Sequence, residues 1–193
     1  MFKNIFTNYL YSKKLDVDLT NLKKHILETK DDDEKGVHMT NNGGWQSKDF
    51  NKINSFTEHL FKSLDLIIKE IKNKIEYNHN LELNNYWYNI NSNGSYNVPH
   101  NHVGLYNDVI ISGVFYVQTF NNSGRLIFRR NEPLVNIMYR DNNSIFNEYN
   151  SSTWNVNPSD NYCLLFPAHL EHYVEPNFNS SNRMSISFNY SKK

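Results

Sequence analysis

The first half of the chain contains two segments in which apolar residues recur at helical spacing. In the first, from Asp16 to Thr29, apolar side chains return every three to four positions, which predicts an amphipathic helix. Asp18 immediately precedes Leu19, the first of the recurring apolar residues, and is a suitable N-cap, since its carboxylate can accept hydrogen bonds from the free backbone amides of the first turn. The charged run Asp31–Gly36 follows, and we expect it to be a solvated loop.

The second helical segment is longer and runs from Ser55 to Tyr77. Its apolar residues fall on one face, with lysine and glutamate mostly on the other. The apolar set is Phe56, Leu60, Leu64, Ile67, Ile68, Ile71 and Ile75. A stripe of this width is typical of a helix that packs against a sheet.

From Leu83 onward the pattern changes to short β-rich runs separated by turn residues. The predicted strands are 86–91, 109–120, 125–128, 162–166, 172–174 and 183–190. The stretch from Arg130 to Asn157 is polar and turn-rich, and we expect a long excursion with an embedded hairpin. Helices followed by many short strands predict an α+β fold around a sandwich or small barrel. We expect one domain over 1–193, with a helical part at 1–82 and a β core at 83–193.

Composition and charge exclude several classes of partner and of metal site. Twenty basic residues balance twenty acidic ones, so we expect no nucleic-acid partner. The one cysteine, Cys163, excludes an intrachain disulfide framework and a cysteine-based zinc site. The residues from Met1 to Phe6 form no apolar stretch long enough for a signal peptide or a membrane span, so we expect a cytoplasmic protein. The bias towards asparagine, lysine, isoleucine and tyrosine is typical of an AT-rich genome, such as that of a virus or phage.

The stretch Pro99-His100-Asn101-His102 places two imidazoles one residue apart, just before an apolar run. In an extended backbone both rings would lie on the same face, roughly 7 Å apart at the backbone. Both could then reach one divalent metal ion, because metal–imidazole bonds are about 2 Å long. The simpler interpretation is a surface loop that contains two histidines.

The last predicted strand alternates polar and apolar residues. Arg183, Ser185, Ser187 and Asn189 lie on one face, which on periodicity alone is expected to lie in water. The alternative is that this face lines a barrel interior that holds a charged small molecule. Arg183 would suit a carboxylate of that molecule because its guanidinium makes two charge-assisted hydrogen bonds, and the Ser185 hydroxyl would add a further donor.

Several short motifs follow one another in order from residue 43 to the C-terminal strand. They are Gly43–Ser47, Trp87 with Asn89, His100–His102, Ser112–Val117, Ser123–Phe128, Phe166–Pro167 with His172, and Arg183–Asn189. In this order they resemble the 2-oxoglutarate/Fe(II) oxygenase family of bacterial and phage proteins related to prolyl hydroxylases.

The resemblance implies a double-stranded β-helix (a jelly roll, cupin-like) with the N-terminal helices packed on one sheet. It also implies Fe(II) as the metal, with 2-oxoglutarate and O2 as partners of the reaction. The implied reaction is hydroxylation of an unidentified substrate with decarboxylation of 2-oxoglutarate to succinate.

The resemblance also assigns roles to individual residues. His172 is implied as the distal iron ligand, and Arg183 as the partner of the 2-oxoglutarate C5 carboxylate, helped by Ser185. Tyr116 and Asn89 are implied as further residues of the cosubstrate pocket. No catalytic residue is implied beyond the metal ligands.

The sequence departs from the family pattern at the early metal-binding motif. The residue two after His100 is His102, where the family usually has a carboxylate. Either His100, His102 and His172 form an all-histidine site, or one early histidine pairs with a carboxylate elsewhere, Asp108 being the nearest candidate. We favour the three histidines, which suit iron as well as copper or zinc.

The missing carboxylate also keeps a second hypothesis open. The chain would then be a non-catalytic jelly-roll binding or assembly protein, with a structural metal or none. Arg183 and Ser185 favour the oxygenase, because a binding module has no need of a buried arginine beside a metal.

Overall fold

The computed structural model describes residues 7–104, 108–130 and 147–193 of the chain. Within these ranges it contains two helices, α1 (Leu19–Asp32) and α2 (Glu58–Lys74), together with eleven strands. The strands are β1 (Tyr11–Lys14), β2 (Asn41–Asn42), β3 (Trp45–Gln46), β4 (Leu81–Asn91), β5 (Tyr96–His100), β6 (Val109–Gln118), β7 (Leu126–Arg129), β8 (Thr153–Val156), β9 (Tyr162–Pro167), β10 (His172–Val174) and β11 (Arg183–Lys192).

The described strands form two sheets. The six-stranded sheet has the order β1-β9-β6-β11-β4-β3, and the five-stranded sheet has the order β2-β5-β10-β7-β8. Every ladder between these described strands is antiparallel. The fold therefore consists mainly of antiparallel sheets with few helices.

Helix α1 begins where the sequence predicts. One carboxylate oxygen of Asp18 accepts hydrogen bonds from the backbone amides of Thr20 and Asn21, at 3.0 and 3.2 Å, which confirms the N-cap. The expectation of a loop from Asp31 is wrong at its start, because the helix continues to Asp32. The chain then turns, and the Asp33 amide bonds to the Lys30 carbonyl.

Helix α2 buries most of its apolar stripe. The stripe residues from Leu60 to Ile71 are buried, whereas Phe56 and Ile75 lie beyond the helix ends and are partly exposed. The Phe61 ring lies 4.7 Å from the Tyr86 ring on β4 and 6.2 Å from the Phe188 ring on β11.

Two apolar clusters fill the interior. The larger one joins the buried faces of both helices to the side of the six-stranded sheet that carries Ile186 and Phe188. The smaller one lies on the other side of this sheet and includes residues of both sheets: Val114, Tyr116, Leu126, Phe128, Leu164, Phe166 and Val174. Cys163 belongs to the larger cluster, and burial raises the pKa of its thiol to about 11.

The predicted strands after residue 83 all form, with their ends shifted by a few residues. The structure adds strands in the segment expected to be helical, since β1, β2 and β3 pair with β9, β5 and β4. Gly43 and Gly44 connect β2 to β3 with φ of +70° and +79°, a conformation that favours glycine. Strand β8 lies in the stretch expected to be turn-rich, while residues 131–146 of that stretch lie outside the described residues.

Neither described helix is long and apolar enough to cross a membrane.

Candidate active site

Three histidines from two distant segments of the chain lie together between the two sheets. His100 ends β5 and pairs across the sheet with His172, the first residue of β10. Their ring centroids are 4.4 Å apart, and the His102 ring lies 5.1 Å from His100 and 5.2 Å from His172. The structure thus brings together the residues at 100, 102 and 172.

The sequence predicts His100 and His102 on one extended strand, but His102 lies outside that strand. Strand β5 ends at His100, and His102 lies in a bend beyond it. Its backbone amide donates a hydrogen bond to the Ala168 carbonyl at 2.9 Å. This bond fixes the His102 backbone against the turn that leads into β10.

The ring nitrogens of the three histidines are close enough to share one ion. One nitrogen from each ring lies within 4.8 Å of the others. The Nε2 atoms of His102 and His172 are 3.3 Å apart. Two nitrogens bound about 2.0–2.1 Å from one ion at a roughly tetrahedral angle have about this separation.

The backbone fixes the proton position on two of the rings. His100 Nδ1 donates to the Val98 carbonyl and His172 Nδ1 donates to the Leu170 carbonyl, both at 2.8 Å. Because a carbonyl oxygen only accepts, Nδ1 must carry the proton in each ring. The Nε2 atom of each neutral ring then presents a lone pair, as in metal sites where a backbone carbonyl orients the ligand.

Burial keeps these rings neutral. Desolvation lowers the pKa of His100 below its usual value of 6.5. Desolvation, reinforced by the other histidines, lowers the pKa of His102 to about 3 and that of His172 to about 4. Since a metal binds only the neutral imidazole, the cluster is in the correct form at neutral pH without loss of a proton.

Arg183 is a buried cation that no carboxylate of the described residues neutralises. Its residue is 2% exposed, and no carboxylate of the described residues forms an ion pair with it. One terminal nitrogen donates to Asn91 Oδ1 at 3.2 Å, while Nε has no hydrogen-bond partner within the described ranges. A buried charge is costly unless an opposite charge accompanies it, so this environment suits an anionic ligand.

Tyr116 lies under this guanidinium, which is centred 5.1 Å from the middle of its ring. Burial raises the pKa of the Tyr116 hydroxyl, and the nearby Arg183 charge acts in the opposite direction. The hydroxyl itself makes no hydrogen bond with the described part of the chain. Two buried donor groups, on Tyr116 and Arg183, therefore remain without an acceptor.

One cavity connects the histidines to Arg183. Most of the remaining lining comes from the facing surfaces of the two sheets. The lining residues are Thr40, Trp87, Asn89, Asn97, His100, His102, Gly113, Val114, Leu126, Phe166, His172, Val174, Arg183, Ser185 and Ser187. Asn89 and Ser185 thus face the cavity, whereas Tyr116 lies behind Arg183 and does not line it.

Other residues considered at the sequence level lie apart from the cluster. Asp108 is exposed and does not belong to the group of three histidines, while its backbone carbonyl accepts from the Lys192 amide. His169 is exposed and bonds to Asn8 at 2.9 Å. The arrangement of the described residues therefore favours the all-histidine alternative.

Sequence reasoning missed the polar residues behind Arg183. Asn91 and Asn97 are buried and hydrogen-bonded to each other, and Asn91 also bonds to Arg183. The alternation of Trp87, Asn89 and Asn91 along β4 is a signal that could have identified Asn91 as an inward-facing residue.

The sequence matches a family model described as "Putative 2OG-Fe(II) oxygenase" over residues 85–189. This match covers more than half of the chain. No curated protein matches the sequence.

Solved structures of similar fold include several prolyl hydroxylases. A prolyl-4-hydroxylase from Pseudomonas putida superposes with a TM-score of 0.67 at 10% identity, covering 97% of this chain and 94% of the other. A prolyl hydroxylase from Trichoplax adhaerens, in complex with a hypoxia inducible factor peptide fragment, gives 0.69 at 12% identity, covering 96% and 84%. The viral collagen prolyl hydroxylase of Paramecium Bursaria Chlorella virus-1, in its 2OG complex, gives 0.59 at 11% identity, covering 95% and 97%.

Proposed function

The chain belongs to the 2OG-Fe(II) oxygenase family, and from this premise we propose that it hydroxylates a C–H bond of a substrate while 2-oxoglutarate is converted to succinate and carbon dioxide. As a member of this family it is an enzyme that uses Fe(II) and 2-oxoglutarate. The products balance, because one atom of O2 enters the hydroxyl group and the other enters succinate.

The observation that carries the proposal is the pairing of two complementary half-sites in one cavity. One half presents imidazole nitrogens that are neutral and close enough to share an ion. The other half presents a buried guanidinium whose Nε has no hydrogen-bond partner among the described residues. A metal ion and a dicarboxylate satisfy both halves, and 2-oxoglutarate is a dicarboxylate whose keto-acid end chelates a metal.

Each half-site then has a defined role. His100, His102 and His172 would hold the iron, and Arg183 would bind the C5 carboxylate of 2-oxoglutarate, with a hydrogen bond from Ser185. Bound together, iron and 2-oxoglutarate supply the oxygen activation of the reaction.

Two further side chains support the anion-binding half. The Tyr116 ring supports the guanidinium from below. Asn89 Nδ2 donates one hydrogen to Ser187 Oγ at 3.0 Å, and the second hydrogen of this amide nitrogen would be the one to donate to an anion in the cavity.

The side chains that line the cavity also determine its charge and how far water can enter it. Three neutral ligands leave the full charge of a divalent ion in place. Together with Arg183 the ion would bring three positive charges to the cavity, and the two carboxylates of 2-oxoglutarate would balance two of them. Val114, Leu126 and Phe166 line the same cavity with apolar groups that exclude water. Exclusion of water strengthens the interaction between Arg183 and a carboxylate.

We also propose the finer description of the fold, a double-stranded β-helix in one domain over 1–193 with the helices packed on the six-stranded sheet. Supporting contacts are those of Phe61 with the rings of β4 and β11. In addition, the Tyr190 hydroxyl donates to Asp65 of α2 at 2.9 Å.

The test is formation of succinate from 2-oxoglutarate after anaerobic loading with Fe(II) and admission of oxygen. His172→Ala and Arg183→Ala should lower the rate to less than about one-hundredth of wild type, since each removes a buried charged or metal-binding partner. His169→Ala is the matched control, because this histidine is exposed and lies outside the cluster. Undiminished turnover in the His172 and Arg183 variants would contradict the proposal.

A further inference from the structure

A chain of buried amides runs from Arg183 across to the opposite sheet. Asn91 Oδ1 accepts from Arg183, and Asn91 Nδ2 donates to Asn97 Oδ1 at 3.2 Å. Asn97 Nδ2 in turn donates to Thr40 Oγ1 at 3.2 Å. Asn91 belongs to β4 of the six-stranded sheet, and Asn97 belongs to β5, the strand that ends in His100.

The hydrogen bonds fix the orientation of the Asn91 amide. A guanidinium only donates, so the Asn91 oxygen must face Arg183 and its nitrogen must face Asn97. The backbone at this position is held as well, since the Asn91 carbonyl accepts from Asn177 Nδ2 at 2.8 Å. Asn91 and Asn177 are both almost completely buried.

The chemistry of the Asn91 side chain matters because it is neutral. A carboxylate at this position would bind Arg183 more strongly and would also cancel its charge. With an amide, Arg183 is oriented but stays electrically uncompensated. The cation then remains available for an anion in the cavity.

We propose that Asn91 is a positioning residue that orients Arg183 for 2-oxoglutarate while leaving its charge unpaired. Through its hydrogen bond to Asn97, Asn91 also connects Arg183 to the strand that ends in His100. Asn91 thereby sets the distance between Arg183 and the metal ligands. The inference rests on the proposed function, in which Arg183 binds the C5 carboxylate.

The experiment compares Asn91→Asp and Asn91→Leu with wild type. The protein is loaded with Zn²⁺, which does not undergo redox chemistry, and 2-oxoglutarate binding is measured by calorimetric titration. Melting temperatures are measured on the metal-free proteins, and zinc content is measured after dialysis. Asn84→Asp is the matched control, since it adds the same charge to an exposed position of the same strand.

We expect Asn91→Asp to weaken 2-oxoglutarate binding at least about 100-fold, because the new carboxylate pairs with Arg183 and repels the ligand. Its zinc content should equal that of wild type. Its melting temperature should be equal or higher, since the buried charge gains a partner and Asn97 can turn its amide to donate to the new carboxylate while accepting from the Thr40 hydroxyl. Asn91→Leu should lower the melting temperature and weaken binding less. Asn84→Asp should bind as wild type does.

Two results would overturn the inference alone: binding by Asn91→Asp within about threefold of wild type, or a loss of binding accompanied by a lower melting temperature. The second result would show that Asn91 only supports the fold. Absence of 2-oxoglutarate binding by wild type would overturn the proposed function, and this inference with it.

Discussion

Both faces of strand β11 are buried, but one face packs in the apolar core and the other carries polar side chains. Met184, Ile186, Phe188 and Tyr190 enter the large apolar cluster beneath the helices. The alternate residues Arg183, Ser185 and Asn189 are equally inaccessible but lie on the side of the five-stranded sheet. In sequence this alternation is indistinguishable from a strand with one face in water.

Burial contributes differently to the free energy of folding on the two faces. On the apolar face, burial removes hydrocarbon from water and stabilises the fold. On the polar face, burial of Arg183 without an anion opposes folding and favours ligand binding. The two faces should therefore respond to mutation in opposite ways.

The largest effect is expected on the polar face. Arg183→Met should weaken 2-oxoglutarate binding by about two to three orders of magnitude, because loss of one partner of a buried charge pair costs about 2–5 kcal/mol. Its metal-free melting temperature should not fall, since a shorter apolar side chain has replaced an unpaired buried charge. Calorimetric titration and thermal denaturation measure the two quantities.

On the apolar face, Phe188→Ala should lower the free energy of unfolding by about 3–5 kcal/mol. The ring lies against Phe61 and Tyr190, so its removal leaves a cavity between helix and sheet. Urea denaturation measures the loss, with Phe188→Leu as a control that retains most of the volume. If the protein that remains folded failed to bind 2-oxoglutarate, the proposed separation between the faces would be wrong.

The smallest effect concerns His25, a titratable group on the helix side of the sheet. Its ring stacks on Phe56 at 4.2 Å, and its Nε2 lies 3.0 Å from the Asn54 amide nitrogen, which donates to it. Burial lowers the pKa of His25, partly opposed by Glu28. The unfolded chain therefore binds this proton more readily, so stability is full above pH 6.5 and falls as the pH drops below that value.

His25→Gln should make the decline in melting temperature between pH 7.5 and pH 5.5 slightly shallower than in wild type. The comparison isolates His25, because the other histidines titrate equally in both proteins. Parallel pH profiles would show that His25 is not held neutral by its surroundings.

Local patterns were sufficient to predict both helices and the main strands. The Asp18 cap and the stripe from Leu60 to Ile71 each depend on residues close in sequence, so they could be predicted directly. Strands β1 and β8 could not, because they are short and partly exposed. Strand β1 pairs with β9, which is far away in sequence, and β8 pairs with β7 across a long connection.

The candidate site was accessible to sequence reasoning only in part. Strand alternation and side-chain chemistry suggest a carboxylate partner for Arg183, but only the resemblance connects Arg183 and His172 to the histidines at 100 and 102, since no local rule joins residues so far apart. The position of His102 in a bend depends on its bond to Ala168, a contact between distant segments. The Asn91–Asn97 contact joins two different sheets, and therefore required the structure.

The burial of Cys163 has a consequence for an enzyme that handles oxygen. With a pKa of about 11, fewer than about one thiol in a thousand is ionised at pH 7, and the ionised form is the one that oxidants attack. An oxidant formed in the cavity in the absence of substrate would therefore meet no reactive sulfhydryl. Oxidative damage would then fall on other side chains, such as Trp87, which lines the cavity with its ring 5.8 Å from that of His102.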